Sequence, residues 1–351
     1  MQLSTLMGLR PVAGAGLLVT LTRRCPLSCA HCSTSSSMAA EQIPAGPLRA
    51  FFSSITAETA PQVVLFTGGE PLLRPRLVRE FAELVKAKGS APAVLTGGFF
   101  ARGGVIPDRI LATLLHCEHV SFSLDAFHER EVDRADVFAA LQLLLDRDRA
   151  VSLHLLGTGP DDEYLADVTR AVQRRFGTAV PMLVTEVRPV GRAAGWLNGR
   201  PATLDERPRP CSMAAWPVVA FDGSVLACCN QRVVDARPTP EHLLLGRAGV
   251  DPWPEIVQRM KGRSLLRMIR TVGPVNIQHR FAAGPCDGSY CGTCRGLSDD
   301  PAVRAGADLV AAGPVGALLD EQVGLMQRQA GPAKLLTRYA SARYAELVSP
   351  S

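Results

Sequence analysis

The chain lacks any run of basic residues interleaved with aromatics, which argues against a nucleic-acid partner. Lys and Arg outnumber Asp and Glu only 38 to 33, a formal net charge of +5, and the positive charges are scattered. No apolar stretch approaches the length of a transmembrane helix, so no membrane partner is expected. The apolar patch at residues 12–21 is followed by basic residues and cysteines rather than a small-residue cleavage site, and it reads as a strand and not as a secretory signal. There is no internal repeat. The chain has ten cysteines without an export signal, which points to a reducing, cytoplasmic compartment and to metal ligation instead of disulfides.

What is present is enough for a sizeable core. The 351 residues are 47% hydrophobic, a length suited to one large domain plus a smaller one. Between residues 16 and 187, apolar strand-like runs (17–21, 63–66, 93–95, 120–124, 151–156 and 181–187) alternate with helical segments (47–58, 74–87, 107–115, 134–148 and 162–175). Repeated β-then-α with short connections predicts a parallel sheet covered by helices. That pattern alone leaves open whether the sheet is doubly wound or a curved partial barrel. In either architecture ligand groups belong at the C-terminal ends of the strands.

The chemistry-bearing residues sit at such ends. Cys25, Cys29 and Cys32, in RRCPLSCAHC, follow the first strand. Soft thiolates select iron–sulfur or zinc sites. CxxxCxxC offers three of them to a [4Fe–4S] cube and leaves one iron open to a small molecule. The alternatives are a zinc knuckle or three unrelated core thiols, although zinc pairs usually come as CxxC with a second pair soon after, and none follows before Cys117. Gly68, Gly69, Glu70 and Pro71 close the second strand, 36 residues after Cys32; glycines there let the backbone approach a ligand closely. Thr96 and Gly97 end the third strand, and Ser123 and Asp125 the fourth, where an aspartate capping the next helix would explain the same letters. His128 reads as a surface or capping histidine. Arg188 and Arg192 leave the sixth strand, and either could bind a carboxylate. Cys117 reads as a small core residue.

A second cysteine set follows. Asp222–Gly223 between apolar runs predicts a hairpin that brings Cys211 and Cys228 together. A helix candidate at 254–269 then leads to CDGSYCGTC, where Cys291 and Cys294 form a CxxC. Four such thiolates make a closed cluster site or, with the same ligands, a structural zinc site. Cys229 and Cys286 are left as alternate ligands. Residues 191–210 read as a connector, and 332–348 as a helix packing on the barrel.

The first motif set resembles the signature of the radical S-adenosylmethionine (SAM) superfamily. The resemblance implies a partial (β/α)6 TIM-like barrel, with a [4Fe–4S] cluster on Cys25, Cys29 and Cys32 that binds SAM at its open iron. In that family one electron from the cluster cleaves SAM to a 5′-deoxyadenosyl radical, which abstracts a substrate hydrogen. It further implies that His31 packs near the adenine, that Gly68, Gly69, Glu70 and Pro71 hold the SAM amino group, and that Thr96, Ser123, Asp125 and Arg188 complete the SAM site.

The second set resembles a SPASM/Twitch extension, a β-hairpin plus helix carrying one auxiliary [4Fe–4S] cluster. Cys211, Gly223 and Cys228 fit its first half, while CxxxxCxxC departs from the full SPASM pattern, which carries two clusters. Domains are accordingly expected at 1–195, 196–300 and 301–351. Two substrate classes follow from the resemblance. One is a ribosomally made precursor peptide, favoured on family frequency, although no leader-binding domain precedes Cys25 and DAFHE replaces a peptide-maturase DG…RG pattern. The other is a sugar, cyclitol or nucleoside undergoing oxidation or rearrangement. A flavodoxin- or ferredoxin-type protein would supply electrons. A zinc-bound scaffold without chemistry is the non-enzymatic reading.

Overall fold

The computed structural model describes residues 1–197, 208–282, 284 and 289–348. Six β/α units open the fold: β1 (Gly16–Thr20), α2 (Ala45–Ser53), β2 (Val63–Thr67), α3 (Pro75–Lys86), β3 (Ala91–Thr96), α4 (Asp108–Leu114), β4 (His119–Ser123), α5 (Arg134–Leu145), β5 (Ala150–Gly157), α6 (Glu163–Phe176) and β6 (Met182–Glu186), preceded by a short helix α1 (Leu3–Leu9). All six strands pair in parallel and in sequence order. The alternation read from the sequence is therefore the parallel sheet of a partial barrel, covered on its outer face by helices.

Side-chain alternation sorts the two faces. On the outer face Phe66 stacks on Phe52, which stacks on Phe81, all without solvent exposure. On the inner face Thr20, Thr67, Ser123, His154 and Thr185 stay half-buried. A barrel lumen lined by hydroxyls and an imidazole is a place for a polar ligand, whereas the outer face is ordinary core.

After β6 come β7 (Val218–Val219), β8 (Ser224–Leu226), α7 (Gln231–Val234), β9 (Leu244–Arg247), α8 (Trp253–Gly262), α9 (Ser264–Thr271), α10 (Pro274–Phe281), α11 (Tyr290–Gly296), α12 (Pro301–Ala312) and α13 (Pro314–Tyr339). The hairpin expected around Asp222–Gly223 is present, with Gly223 at φ +86° and Asp222 Oδ1 accepting the Ser224 amide at 2.9 Å. It is not a separate sheet. β7 pairs in parallel with β1, and β9 extends the order to β6-β5-β4-β3-β2-β1-β7-β8-β9.

Two helix expectations needed correction. The single helix predicted over 254–269 is broken at Arg263, whose extended backbone (ψ 123°) separates α8 from α9. The helix predicted over 332–348 instead belongs to α13, which starts at Pro314 and kinks at Gly331 (φ +69°), and residues 342–348 form a 3-10 turn. The C-terminal segment does pack on the barrel. Leu336, Ala345 and Val348 join Leu3, Leu6 and Trp216 in one buried cluster, and the Ser341 amide donates to the Val184 carbonyl at the open edge of β6. Trp216 lies so close to β1 that a Cβ on Gly16 would sit 2.2 Å from its ring. No single helix among the described residues is long and apolar enough to cross a membrane; only α12 and α13 taken together, bent by 82°, reach that length.

Candidate functional site

The loop carrying Cys25, Cys29 and Cys32 leaves β1 and is held by the exits of three other strands. From β2, the Gly69 and Glu70 amides donate to the carbonyls of Thr22 and Arg24 at 2.6 and 2.8 Å. A Cβ on Gly68 would lie 2.3 Å from the Thr22 carbonyl, and one on Gly69 2.4 Å from that of Arg24. The two glycines are thus needed for the close approach of the cysteine loop itself. From β4, Glu131 accepts the Ser28 amide at 3.0 Å. From β6, Gly191 (φ +56°) presses against the Cys32 and Ser33 carbonyls, and Arg192 donates to the carbonyls of Cys29 and Ser36 at 2.8 and 2.5 Å.

Two of the three sulfurs have a donor. The Leu27 amide reaches Cys25 Sγ at 3.4 Å, and Thr34 Oγ1 and the Ser36 amide reach Cys32 Sγ at 3.3 and 3.5 Å. Cys29 is close enough to His128 to favour the charge on its ring. Burial, with Glu70 and the other two thiols nearby, pushes the Cys25 thiol up to about 12. Burial opposes ionisation of Cys32 too, yet its Thr34 and Ser36 donors bring it below the ordinary thiol value. Three thiols on one tight loop, two of them with a donor ready for a ligating thiolate, fit a sulfur-bound metal cluster, whose charge would offset the cost of ionising a buried thiol.

Glu70 is fully buried and caps the 3-10 turn that begins at Pro71, accepting the Leu72 amide at 2.9 Å. It also accepts from Thr96 Oγ1 (2.8 and 3.0 Å) and the Gly97 amide (2.9 Å), tying the ends of β2 and β3 together. Burial raises its carboxyl to about 7 despite those donors.

Asp125 is also fully buried. Its Oδ1 accepts the amides of Phe127 and His128 at 2.9 and 3.0 Å, closing a turn and not capping the next helix, α5, whose N-cap is Asp133. Its Oδ2 lies 2.8 Å from His128 Nδ1 and 3.4 Å from His31 Nε2. His128 is therefore no surface histidine. Burial works against its charge, but Asp125 and Cys29 lift it to about 10. His31 is buried under Phe127 (ring centroids 4.6 Å), which meets the half-exposed Trp196 at 5.5 Å, and burial lowers His31 to about 4. The residue expected beside an adenine is covered, and Phe127 and Trp196 lie outside it. Sequence reading missed Phe127 and Trp196, and it singled out Arg192 as a carboxylate binder and not as the clasp of the cysteine loop.

Ser123 stands on the lumen face opposite His154 in the β4–β5 register. His154 Nε2 pairs with Thr185 Oγ1 at 3.1 Å, and burial lowers the imidazole to about 4. Arg188 is exposed and turns toward the Tyr339 carbonyl at 3.5 Å, away from the cysteine loop that engages Arg192.

In the second set, Cys228 lies near Cys229, Cys211 and Cys291, and Cys294 near Cys211, Cys228 and Cys291; burial followed by these neighbouring thiols raises both. Cys229 also accepts from Arg10 Nη2 at 3.0 Å, with that guanidinium stacked over Trp216. Cys286 lies outside the described residues. Cys117 is buried in the core, as expected, and burial pushes it to about 12.

Comparison with known proteins agrees with this geometry. Residues 19–172 match the model of the radical SAM superfamily. That stretch of the chain is similar to a radical SAM domain. The PqqA peptide cyclase of Methylocella silvestris is 31% identical over 173 residues, 48% of this chain and 44% of that protein. The corresponding cyclase of Xanthomonas campestris pv. campestris is 32% identical over 147 residues, 41% of this chain and 36% of that protein. The chain thus covers less than half the length of these curated relatives. Among solved structures, Streptococcus suis SuiB bound to the precursor peptide SuiA superposes with a TM-score of 0.53 at 10% identity, covering 84% of this chain and 74% of that one. The anSMEcpe structure with bound AdoMet and Cp18Cys peptide gives 0.50 at 14% identity, covering 84% and 99%. At such identities the likeness is one of fold, a partial barrel of parallel strands.

Proposed function

We propose that this chain is a radical SAM enzyme that modifies a ribosomally made precursor peptide, with net oxidation through an auxiliary cluster. The observation that carries the first half is the clasped loop of Cys25, Cys29 and Cys32, held by Arg192 and the β2 exit, with donors on Cys25 and Cys32. These cysteines would hold one [4Fe–4S] cluster. Glu70, Thr96 and Gly97 at the ends of β2 and β3, with Ser123 on the lumen face, would hold SAM. When bound, the pair supplies a 5′-deoxyadenosyl radical able to abstract a hydrogen atom from a substrate.

The chain's own residues position the ligands and exclude water. His154 is neutral near pH 7, so beside Thr185 it offers a hydrogen bond and not a charge to a polar substrate group. With its pKa near 4 it is too weak a base to hold a proton at neutrality. The peptide assignment is supported by the named substrates of the relatives: a PqqA peptide cyclase, SuiB with SuiA, and anSMEcpe with a peptide. Cys211, Cys228, Cys291 and Cys294 would hold the auxiliary [4Fe–4S], with Cys229 reserved for Arg10. A flavodoxin- or ferredoxin-type protein would supply electrons in the cytoplasm.

Iron and sulfide per chain after anaerobic reconstitution test this reading. About eight irons in the wild type falling to about four in a Cys25/Cys29/Cys32→Ala triple variant is the expected result. About four falling to none removes the auxiliary cluster, and no loss of iron in the triple variant overturns the whole assignment. For the substrate, a precursor peptide co-expressed with the enzyme should lose hydrogen by mass spectrometry. An unchanged peptide alongside oxidation of a sugar or cyclitol would overturn the peptide reading.

A further inference from the structure

We infer that two copies of this chain associate through the outward face of α13, with the two helices running antiparallel across a two-fold axis. The inference stands apart from the cluster assignment and needs no ligand. From Pro314 to its kink at Gly331, α13 is helical for roughly 25 Å. One side of it is committed to the body of the protein. Asp320 accepts from Arg267 Nε of α9 at 2.5 Å, and Gln327 donates to the Arg270 carbonyl at 3.5 Å. Gly316 is buried against the end of α12, where a Cβ would sit 2.6 Å from the Val310 carbonyl. These residues recur at the spacing of one helix face.

The opposite face carries Val315, Leu318, Gln322, Leu325 and Gln329, with Met326 beside them. Its apolar members are open to solvent: Val315 is 62% exposed, Leu318 55%, Leu325 48% and Met326 67%. Steps of three and four in alternation make this the narrow a/d seam of a two-stranded coil, not the broader stripe by which a helix packs on its own core. A contiguous exposed apolar face marks an interaction surface.

Charge placement selects a second copy as the occupant. On this seam Glu321 and Arg328 both fall at g, one heptad apart on the same flank, and both are exposed. Among the described residues, neither makes an ion pair or hydrogen bond within the chain. When two such helices lie antiparallel, g positions face g positions, so Glu321 of each copy lies opposite Arg328 of the partner subunit. The pair forms twice, as a self-complementary two-fold interface requires, with the axis passing close to Gly324 and Leu325. A parallel arrangement would set Glu321 opposite Met326 and leave its charge unpaired.

Sedimentation velocity on the full-length, anaerobically reconstituted protein tests this. The range is roughly 1 to 100 μM, suited to an interface smaller than the standard size. A concentration-dependent shift from monomer to dimer is expected. Leu325→Glu should weaken the dimer by roughly thirtyfold, with far-ultraviolet circular dichroism unchanged. Glu321→Arg alone and Arg328→Glu alone set like charges opposite each other, and each should weaken it by about tenfold. The double reversal should restore association. Two residues a heptad apart do not touch on one helix, so the restoration cannot arise within a single chain.

A monomer at every concentration would overturn the inference, and one that floats with phosphatidylcholine vesicles would assign the face to lipid instead. A dimer untouched by Leu325→Glu would place the interface elsewhere and overturn it too. If the double reversal associates no better than the single variants, the antiparallel pairing is wrong. Should Leu325→Glu fail to fold, the charge reversals on exposed side chains carry the test.

Discussion

Arg192 donates through Nε to the carbonyl of Cys29 at 2.8 Å, fastening the exit of β6 to the loop that follows β1. The same guanidinium reaches the Ser36 carbonyl, so a single side chain holds both the middle and the end of the cysteine loop. Because a hydrogen bond from a charged donor contributes about 1.5–3 kcal/mol, Arg192→Met should leave the barrel folded but loosen this loop. Iron bound per chain after reconstitution should fall by at least half, with a smaller change in far-ultraviolet circular dichroism. Full iron loading in Arg192→Met would show that the clasp is dispensable.

The glycines of the GGE turn give a sharper contrast. A Cβ at Gly69 would sit 2.4 Å from the Arg24 carbonyl, whereas one at Gly46 meets nothing within 4 Å. Displacing backbone by that much costs on the order of 1–3 kcal/mol, while Gly→Ala in a helix gains about 0.5–1 kcal/mol. Urea unfolding should therefore show Gly69→Ala with a lower midpoint and Gly46→Ala with an unchanged or higher one. Equal midpoints would mean that the β2 exit and the cysteine loop do not press on each other in solution.

Cys228 and Cys229 are neighbours in sequence that differ in their further contacts: Cys228 meets Cys211 and Cys291, and Cys229 accepts from Arg10. Cys228→Ser should remove about four irons per chain, the content of one cube. Cys229→Ser should leave the iron unchanged and affect only stability. The reverse outcome would move the ligand to Cys229 and require Arg10 to release it.

His119 links stability to acid. It is buried between the Met1 carbonyl (3.0 Å) and Ser152 Oγ (2.8 Å), and burial lowers it from 6.5 to about 4. With the folded pKa depressed, the fold favours the neutral ring. Its contribution is complete above the unfolded value and is lost as pH falls from 6.5 through 4. At about 1.4 kcal/mol per unit, the contribution is roughly 3 kcal/mol. His119→Gln should lower the thermal midpoint at pH 7.5 and flatten its decline between pH 6.5 and 4.5; an equally steep decline would assign the acid sensitivity to other groups.

Much of the molecule follows from short-range pattern. The alternation of apolar strands and helices, the Asp222–Gly223 turn and the CxxxCxxC spacing are local features, because period, turn chemistry and ligand spacing act over a few residues. They suffice for a helix-covered parallel sheet with a cysteine loop at the C-terminal end of its first strand. Which partner each polar group takes is not local. Whether Asp125 faces SAM or two imidazoles, and whether Arg192 holds a ligand or a loop, depends on which strand exits meet above the barrel. The attachment of β7 to β1 depends on hydrogen bonds between segments about 200 residues apart, and the sorting of Cys228 from Cys229 on the arrival of Arg10 from the other end of the chain. Sequence by itself determined the sheet and the thiols; tertiary packing decided their neighbours, since backbone ladders and buried polar contacts pair groups by position in space and not by spacing along the chain.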